Sequence, residues 1–432
     1  MMSSYTPTHV ALSPSVELFT IQDTTHKTAR LSIYTLWDAS PQISPLATLL
    51  FGVLRRGSQA YPKLSLLNRR LDELYGTTLT MRNFLVGDTH VLSFTAEMLE
   101  DAYLPAGESL DILAGTMEVL SELLCRPQVQ EDGCLRTPVV EQEKISLCDS
   151  IKADINDPRS YAMTRHRQIM CQDQPYGVSL TGDVDGVMTM TTEDVTKVFQ
   201  KLTGGVCWQV YYTGQASHER VKICFENAFA KHWPTHHTLT PTYPHTPPAQ
   251  PRSVEESLPL EQGRLCMSWT KDVSDREEHP ATVVFCELLG VMQSAILFRT
   301  VREEMGLCYD CDTYYEATKG ILTVTAGIHP NNRQAAEQAI SQAIVDIQNG
   351  NLDPHDVRLA QLSLQNAYAQ IPESAAATEA YWFRHQREGL EIPPPDMLEK
   401  LMNVTPQEVV AVARRFVADT VYFLNATAGE EV

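Results

Sequence analysis

Two short stretches of the chain alternate apolar and polar side chains with the period of two that marks a β-strand: LSFTA at 92–96 and LTVTA at 322–326. Each closes a longer segment in which a helix ends at a glycine and two strands follow. The segments RLDELYGTTLTMRNFLVGDTHVLSFTA (70–96) and TVREEMGLCYDCDTYYEATKGILTVTA (300–326) align without a gap at an offset of 230 residues, the separation of Gly76 from Gly306. A weaker echo, MTRHRQ at 163–168 and WFRHQR at 382–387, stands at an offset of 219. Downstream of each strand pair comes a long amphipathic pattern, SLDILAGTMEVLSELL in the first half and NRQAAEQAISQAIVDIQNG in the second. Gly350 stops the latter helix.

Between these halves the pattern breaks. Residues 231–260 are rich in Pro and Thr and carry neither helical nor alternating apolar periodicity, so they read as an extended linker. The expected organisation is a first domain over 1–230, a linker over 231–260 and a second domain over 261–432. The fold class is α+β, with two homologous domains that each pack helices on a mixed sheet.

In the segment LATLLFGVLRRG, Leu46, Leu49, Leu50, Val53 and Leu54 fall at helical spacing and form one buried face. Arg55 and Arg56 then supply a basic last turn and Gly57 a stop.

At 432 residues and 48.4 kDa the chain is long enough for more than one core, which agrees with the repeat. It carries 54 acidic and 34 basic side chains, a formal net charge of -20. Such a chain repels phosphate backbones and anionic lipid, so nucleic acid and membranes are excluded as expected partners. No apolar run approaches the roughly 18 residues of a membrane span, and 1–16 lack the basic-then-apolar order of a signal peptide. A cytoplasmic location is expected, with the ten cysteines reduced and packed as small hydrophobes.

Three local motifs suggest chemistry and are set aside. DREEH at 275–279 offers Asp275, Glu278 and His279 as metal donors, but Pro280 follows and the segment reads as a capped helix start. His232, His236 and His237 cluster around Pro234, which prevents the helix that would align them. Cys308 and Cys311 form a C-x-x-C inside an expected strand, where side chains at that spacing point to opposite faces.

The segment PLATLLFGVLRRGSQAYPKLSLLNRRLDELYGTTL resembles the opening of the M16 peptidases, the family of insulinase and pitrilysin. Similarity continues through VEQEKISLCDSIKADINDP, QDQPYGVSLTGDVDGV, LFRTVREEMGLCYDCDTYYEATKGILTVTAGIHPNN and VVAVARRFVADTVYFL, nearly the whole chain. The order of LRRGS, LDELYG and VREEMGLCY is most similar to a branch of the bacterial M16B group without the zinc motif. The resemblance implies two M16-type α/β sandwich domains.

In that family the opening helix carries H-x-x-E-H. Here Thr48 stands at the first His, Phe51 at the Glu and Gly52 at the second His. The third ligand, a Glu on a later helix, is expected near Ser150, with Asp149 beside it. Zinc needs three or four N, S or carboxylate donors, which this set does not supply. The expectation is a chain that holds no metal and cleaves no peptide alone.

The family's substrate-holding Arg and Tyr are matched by Arg302 and Tyr309, whose repeat counterparts are Asp72 and Leu79. The Gly-rich loop that precedes them in relatives is reduced to Gly290. The resemblance therefore implies a metal-free subunit of a heterodimeric zinc endopeptidase. Its homologous M16B partner carries H-x-x-E-H and the zinc, and the substrate is a flexible peptide such as a natural-product leader. The alternatives are a pseudopeptidase that binds peptides or scaffolds another protein, and an accessory role in translation-factor modification.

Overall fold

The computed structural model describes residues 6–229, 232–234 and 237–427. It contains two mixed sheets. The first consists of β1 (Thr8–Ser13), β2 (Val16–Gln22), β3 (Thr28–Asp38), β4 (Thr78–Val86), β5 (Thr89–Leu99) and β6 (Cys207–Gly214), in the order β1-β2-β6-β3-β5-β4. The second consists of β7 (Arg252–Pro259), β8 (Gly263–Thr270), β9 (Cys308–Glu316), β10 (Ile321–Ile328) and β11 (Val417–Thr427), in the order β7-β11-β8-β10-β9. Each sheet has one parallel pair, β2 with β6 and β7 with β11. Strands β4 and β9 sit at the same edge of their sheets, and both their ends differ by the 230-residue offset of the repeat.

On the first sheet pack α1 (Ser44–Arg55), α2 (Leu64–Glu73), α3 (Ile112–Cys125) and α4 (Thr137–Ala153), with the helix Thr192–Gly204 beside α1. Leu49, Leu50, Val53 and Leu54 of α1 are buried in this core and Leu46 is half-buried, the face the spacing indicates. Asp111 caps α3 by accepting from the Ala114 amide, which satisfies one of the free donors at a helix start. The second core is built from the equivalent face of β8 and β10 with the helices Arg333–Gln348 and Pro354–Gln370, through Ile340, Ile344, Val357 and Leu364. The left-handed conformation of Gly350 ends the first of these helices (φ 90°).

The boundaries are less simple than the linker suggests. One compact unit comprises the chain to Ala153, Val178–Pro241 and Pro372–Arg384. The other comprises Asp154–Gly177, Thr242–Ile371 and the chain from His385. Within the second unit α5 (Pro158–Met170) packs on β8 and β11, with Ala162 against Cys266, Tyr422 and Leu424. Within the first, residues 372–384 cover the face of the sheet that alternation assigns to polar side chains. Phe383 stacks on Tyr34 at 4.2 Å, and the Tyr34 hydroxyl donates to Glu379 at 2.6 Å. Ser32, Ser93 and Thr95 are consequently buried, so the alternating strands have two covered faces.

The interval 231–260 also differs from an extended linker. Arg252–Pro259 is a strand of the second sheet, paired parallel to β11, and its alternate residues are exposed. Among the described residues no helix is long and apolar enough to cross a membrane.

Candidate functional site

On helix α1 the side chains at Thr48, Phe51 and Gly52 offer no donor set for zinc. Phe51 is buried in the core with its ring edge-on to Phe94 at 5.6 Å. The Thr48 hydroxyl lies 2.6 Å from the Leu180 carbonyl and 3.1 Å from that of Ser44, and accepts from the Asn83 amide at 2.7 Å. Its proton and one lone pair are engaged. Gly52 offers no donor at all.

What faces Gly52 is Glu143. A Cβ added at Gly52 would lie 2.6 Å from the Glu143 Oε2. Ser150 and Asp149, where the third ligand is expected, are exposed on α4, while Val140, Glu143, Lys144 and Cys148 form its buried stripe. That stripe has helical spacing and was the signal available in the sequence. The Glu143 carboxylate, itself only 11% exposed, is paired with the Arg56 guanidinium. A nearly buried carboxylate requires a cation. In a zinc site the metal supplies that charge; here Arg56 does. The donor set of one carboxylate, already paired, does not fit a catalytic zinc ion. A cleft of about 790 Å³ beside it is lined by Arg55, Arg56, Asp72, Leu79 and Glu143 among others.

The hydrogen-bond chain behind Thr48 ends at His90, whose Nε2 lies 2.5 Å from the Asn83 Oδ1. Burial pushes this imidazole down to about 3, from an ordinary value of 6.5, so it stays neutral and donates from Nε2. The sign of the pH effect follows. Below about pH 6.5 the unfolded chain takes up a proton that the folded chain refuses, so stability falls as the pH drops toward 3. Urea unfolding of the parent at pH 7 and pH 5 is expected to show a loss of about 2 kcal/mol from this group, and His90→Gln is expected to remove that part of the slope. His166, pushed down to about 4 by burial in the second unit, contributes in the same direction.

The second candidate pair lies on β9 and the turn before it. Phe298–Glu304 is a wide helical turn with i→i+5 geometry, seen in the Met305 amide bond to the Thr300 carbonyl at 3.1 Å. Gly306, in the left-handed region (φ 61°), leads into β9. Arg302 is exposed, with its guanidinium over the Phe298 ring at 4.5 Å. Tyr309 is 57% exposed. It sits on an edge strand at a bulge: Cys308 pairs with Ile328 and Asp310 with Gly327, with a register shift between them.

The bulge overturns the expectation for the C-x-x-C. With one residue taken out of register, Cys308 and Cys311 are both buried while Tyr309 points out. The hydrogen bond between the thiols, chiefly, lowers the pKa of Cys308 and raises that of Cys311, and the Arg302 charge adds to the lowering at Cys308. The turn Phe298–Glu304, which carries Arg302, packs against β9, the strand that carries Tyr309. Their counterparts differ: Asp72 is exposed on α2, and Leu79 is half-buried on β4. Gly290 lies in a buried helical turn, where a Cβ would strike Thr313, and not in a flexible loop.

Individual residues of two of the set-aside motifs have other partners. Asp275 caps a short turn by accepting from the Glu277 amide at 3.0 Å, and Glu278 pairs with Lys271 at 2.9 Å and with Arg415. His237 lies 3.5 Å from Asp38, and His236 lies outside the described residues.

Comparison with known proteins places the chain beside peptidases of one family. Residues 189–364 match the family model of the peptidase M16 inactive domain. A curated relative from Bacillus subtilis (strain 168), named as the probable inactive metalloprotease YmfF, is 27% identical over 382 residues, which is 88% of this chain and 89% of that protein. Among solved structures, a conserved protein from Enterococcus faecalis V583 superimposes with a TM-score of 0.88 at 21% identity, over 99% of this chain and 100% of that one. The peptidase M16 inactive domain from Pseudomonas fluorescens gives 0.77 at 14% identity, over 99% and 100%.

Proposed function

Starting from an M16-type chain that resembles inactive metalloproteases, we propose that it is the non-hydrolytic subunit of a heterodimeric zinc endopeptidase. The partner is a homologous chain with an intact H-x-x-E-H, and the substrate is a flexible peptide, for example a leader segment. The observation that carries this reading is the contrast between the halves. At α1 a salt bridge to Arg56 has taken over the one remaining acidic position, whereas Arg302 and Tyr309 stay exposed around a bulged edge strand.

Those residues suit a peptide clamp. An edge strand presents unpaired N–H and C=O groups to an extended chain. The Arg302 fork can hold a peptide carbonyl or terminal carboxylate, and the Tyr309 hydroxyl can donate to the oxyanion that forms at the scissile carbonyl. This chain's own part in the reaction is to bind and orient the peptide while the partner's zinc activates water.

The stacking of Arg302 on Phe298 favours a second reading, in which the residue is packed for structure and the chain is a peptide-binding scaffold. Co-expression with the homologous H-x-x-E-H chain tests the assembly. The two chains are expected to co-elute at one-to-one stoichiometry in size-exclusion chromatography. Separate elution at micromolar concentration would remove the heterodimer.

A further inference from the structure

We propose that His279, His385 and Glu388 form a binding site for a divalent transition-metal ion of the zinc class, in the second unit and unrelated to the α1 motif. The sequence offered His279 only in company with Asp275 and Glu278, both of which are engaged elsewhere. The fold instead brings His279 to two residues more than a hundred positions downstream. One ligand atom from each of the three lies within 4.8 Å of the others. The His279 Nε2 is 3.9 Å from the Glu388 Oε2, and the two imidazole rings meet edge to face at 6.0 Å.

Local structure fixes this convergence. His279 is the first residue of the helix His279–Cys286, and Pro280 follows it within the first turn, where a missing N–H costs nothing. His385 stands near the end of the helix Ala375–Arg387, and Glu388 follows it at i+3, a spacing that keeps both side chains on one side. His385 is buried, and the side chains of His279 and Glu388 are only 14% and 9% exposed.

Two imidazoles and a carboxylate are the donor types borderline divalent ions prefer. Donors bound at about 2.0–2.2 Å around a tetrahedral ion stand roughly 3.3–3.6 Å apart, so the three need to close by about an ångström. Rotation of the rings and of the Glu388 chain covers that distance. His279 also lines a surface cavity of about 560 Å³ with Arg276, Gly389 and Leu390, which gives an ion a route in and water access to a fourth position. The net charge of -20 attracts cations generally. The role is structural: the ion ties the start of one helix to the end of another. The chain would then carry a metal after all, contrary to the sequence expectation, but away from the catalytic motif. This inference does not depend on the proposed function.

Titration of the full chain, stripped with a chelator and dialysed, with Co²⁺ and then Zn²⁺ tests the site. One equivalent of Co²⁺ is expected to give visible d–d bands without thiolate charge-transfer absorption, and Zn²⁺ is expected to displace them. His279→Ala and Glu388→Gln should each weaken binding by about tenfold or more, whereas His237→Ala should change nothing. His279 is partly exposed at a helix start, so its variant reports even if Glu388→Gln fails to fold. Absence of the bands, thiolate charge-transfer bands, or parent-like affinity in His279→Ala would each overturn the proposal.

Discussion

Replacing Arg302 with Ala, or Tyr309 with Phe, is expected to lower kcat/KM for peptide cleavage by the assembled pair by about 2–4 kcal/mol, roughly thirty- to a thousandfold. Zinc-bound water attacks a carbonyl only when the peptide is held in reach, and the developing oxyanion needs a donor beyond the metal. Tyr309→Phe removes one oxygen from a residue 57% exposed on an edge strand, so folding and assembly should be untouched. Arg302→Ala removes a charge and the cover over Phe298, which is 4.5 Å away, and should cost little stability. Asp72→Ala and Leu79→Phe alter the repeat counterparts on α2 and β4 and should leave cleavage near the parent value. Parent-like rates in the Arg302 and Tyr309 variants would make the pair structural and the scaffold reading the better one.

Restoring two histidines is expected to restore zinc at α1, which the sequence alone did not indicate. With the third ligand assigned to Ser150, reversion of Thr48, Phe51 and Gly52 to the family residues should recover little affinity. The structure supplies Glu143 instead, with Oε2 2.6 Å from the Cβ position of Gly52. A Thr48→His, Gly52→His, Arg56→Gln variant would present two imidazoles one helical turn apart and a carboxylate freed from its guanidinium. It is expected to bind one equivalent of zinc more than the parent chain. At a hundredfold excess over Kd, zinc bound to the native state should add about 2.7 kcal/mol of stability. Adding Glu143→Gln should abolish the gain. Phe51 is left in place because a carboxylate there would be buried against Phe94 at a cost of several kcal/mol. Without that base the variant should bind zinc and still not hydrolyse peptides. Equal zinc binding with and without Glu143 would refute the assignment.

The repeat was legible because it needs only local pattern. The offset of 230 places β4 on β9 end to end and Gly76 on Gly306, both glycines in the left-handed region. The buried face of α1 was legible for the same reason. What the sequence hid depends on contacts distant along the chain. Residues 372–384 bury Ser32 and Ser93, which alternation assigns to solvent. Strand β7 is a short edge strand at the end of a Pro-rich stretch, where composition masks its alternation. A one-residue bulge reverses the facing of Cys308 and Cys311, since a strand's side-chain period is two. Glu143 does not stand out in the sequence because α4 carries several acidic residues, and only its buried stripe separates the inward one from Asp149.

Cleavage of a fluorogenic peptide by each chain separately and by both together decides whether this chain is silent alone and necessary in company. No chelator-sensitive cleavage is expected from this chain, little from the H-x-x-E-H homologue, and strong chelator-sensitive cleavage from the two combined. Chelator-sensitive hydrolysis by this chain alone, or a homologue equally active without it, would rule out the proposed division of labour.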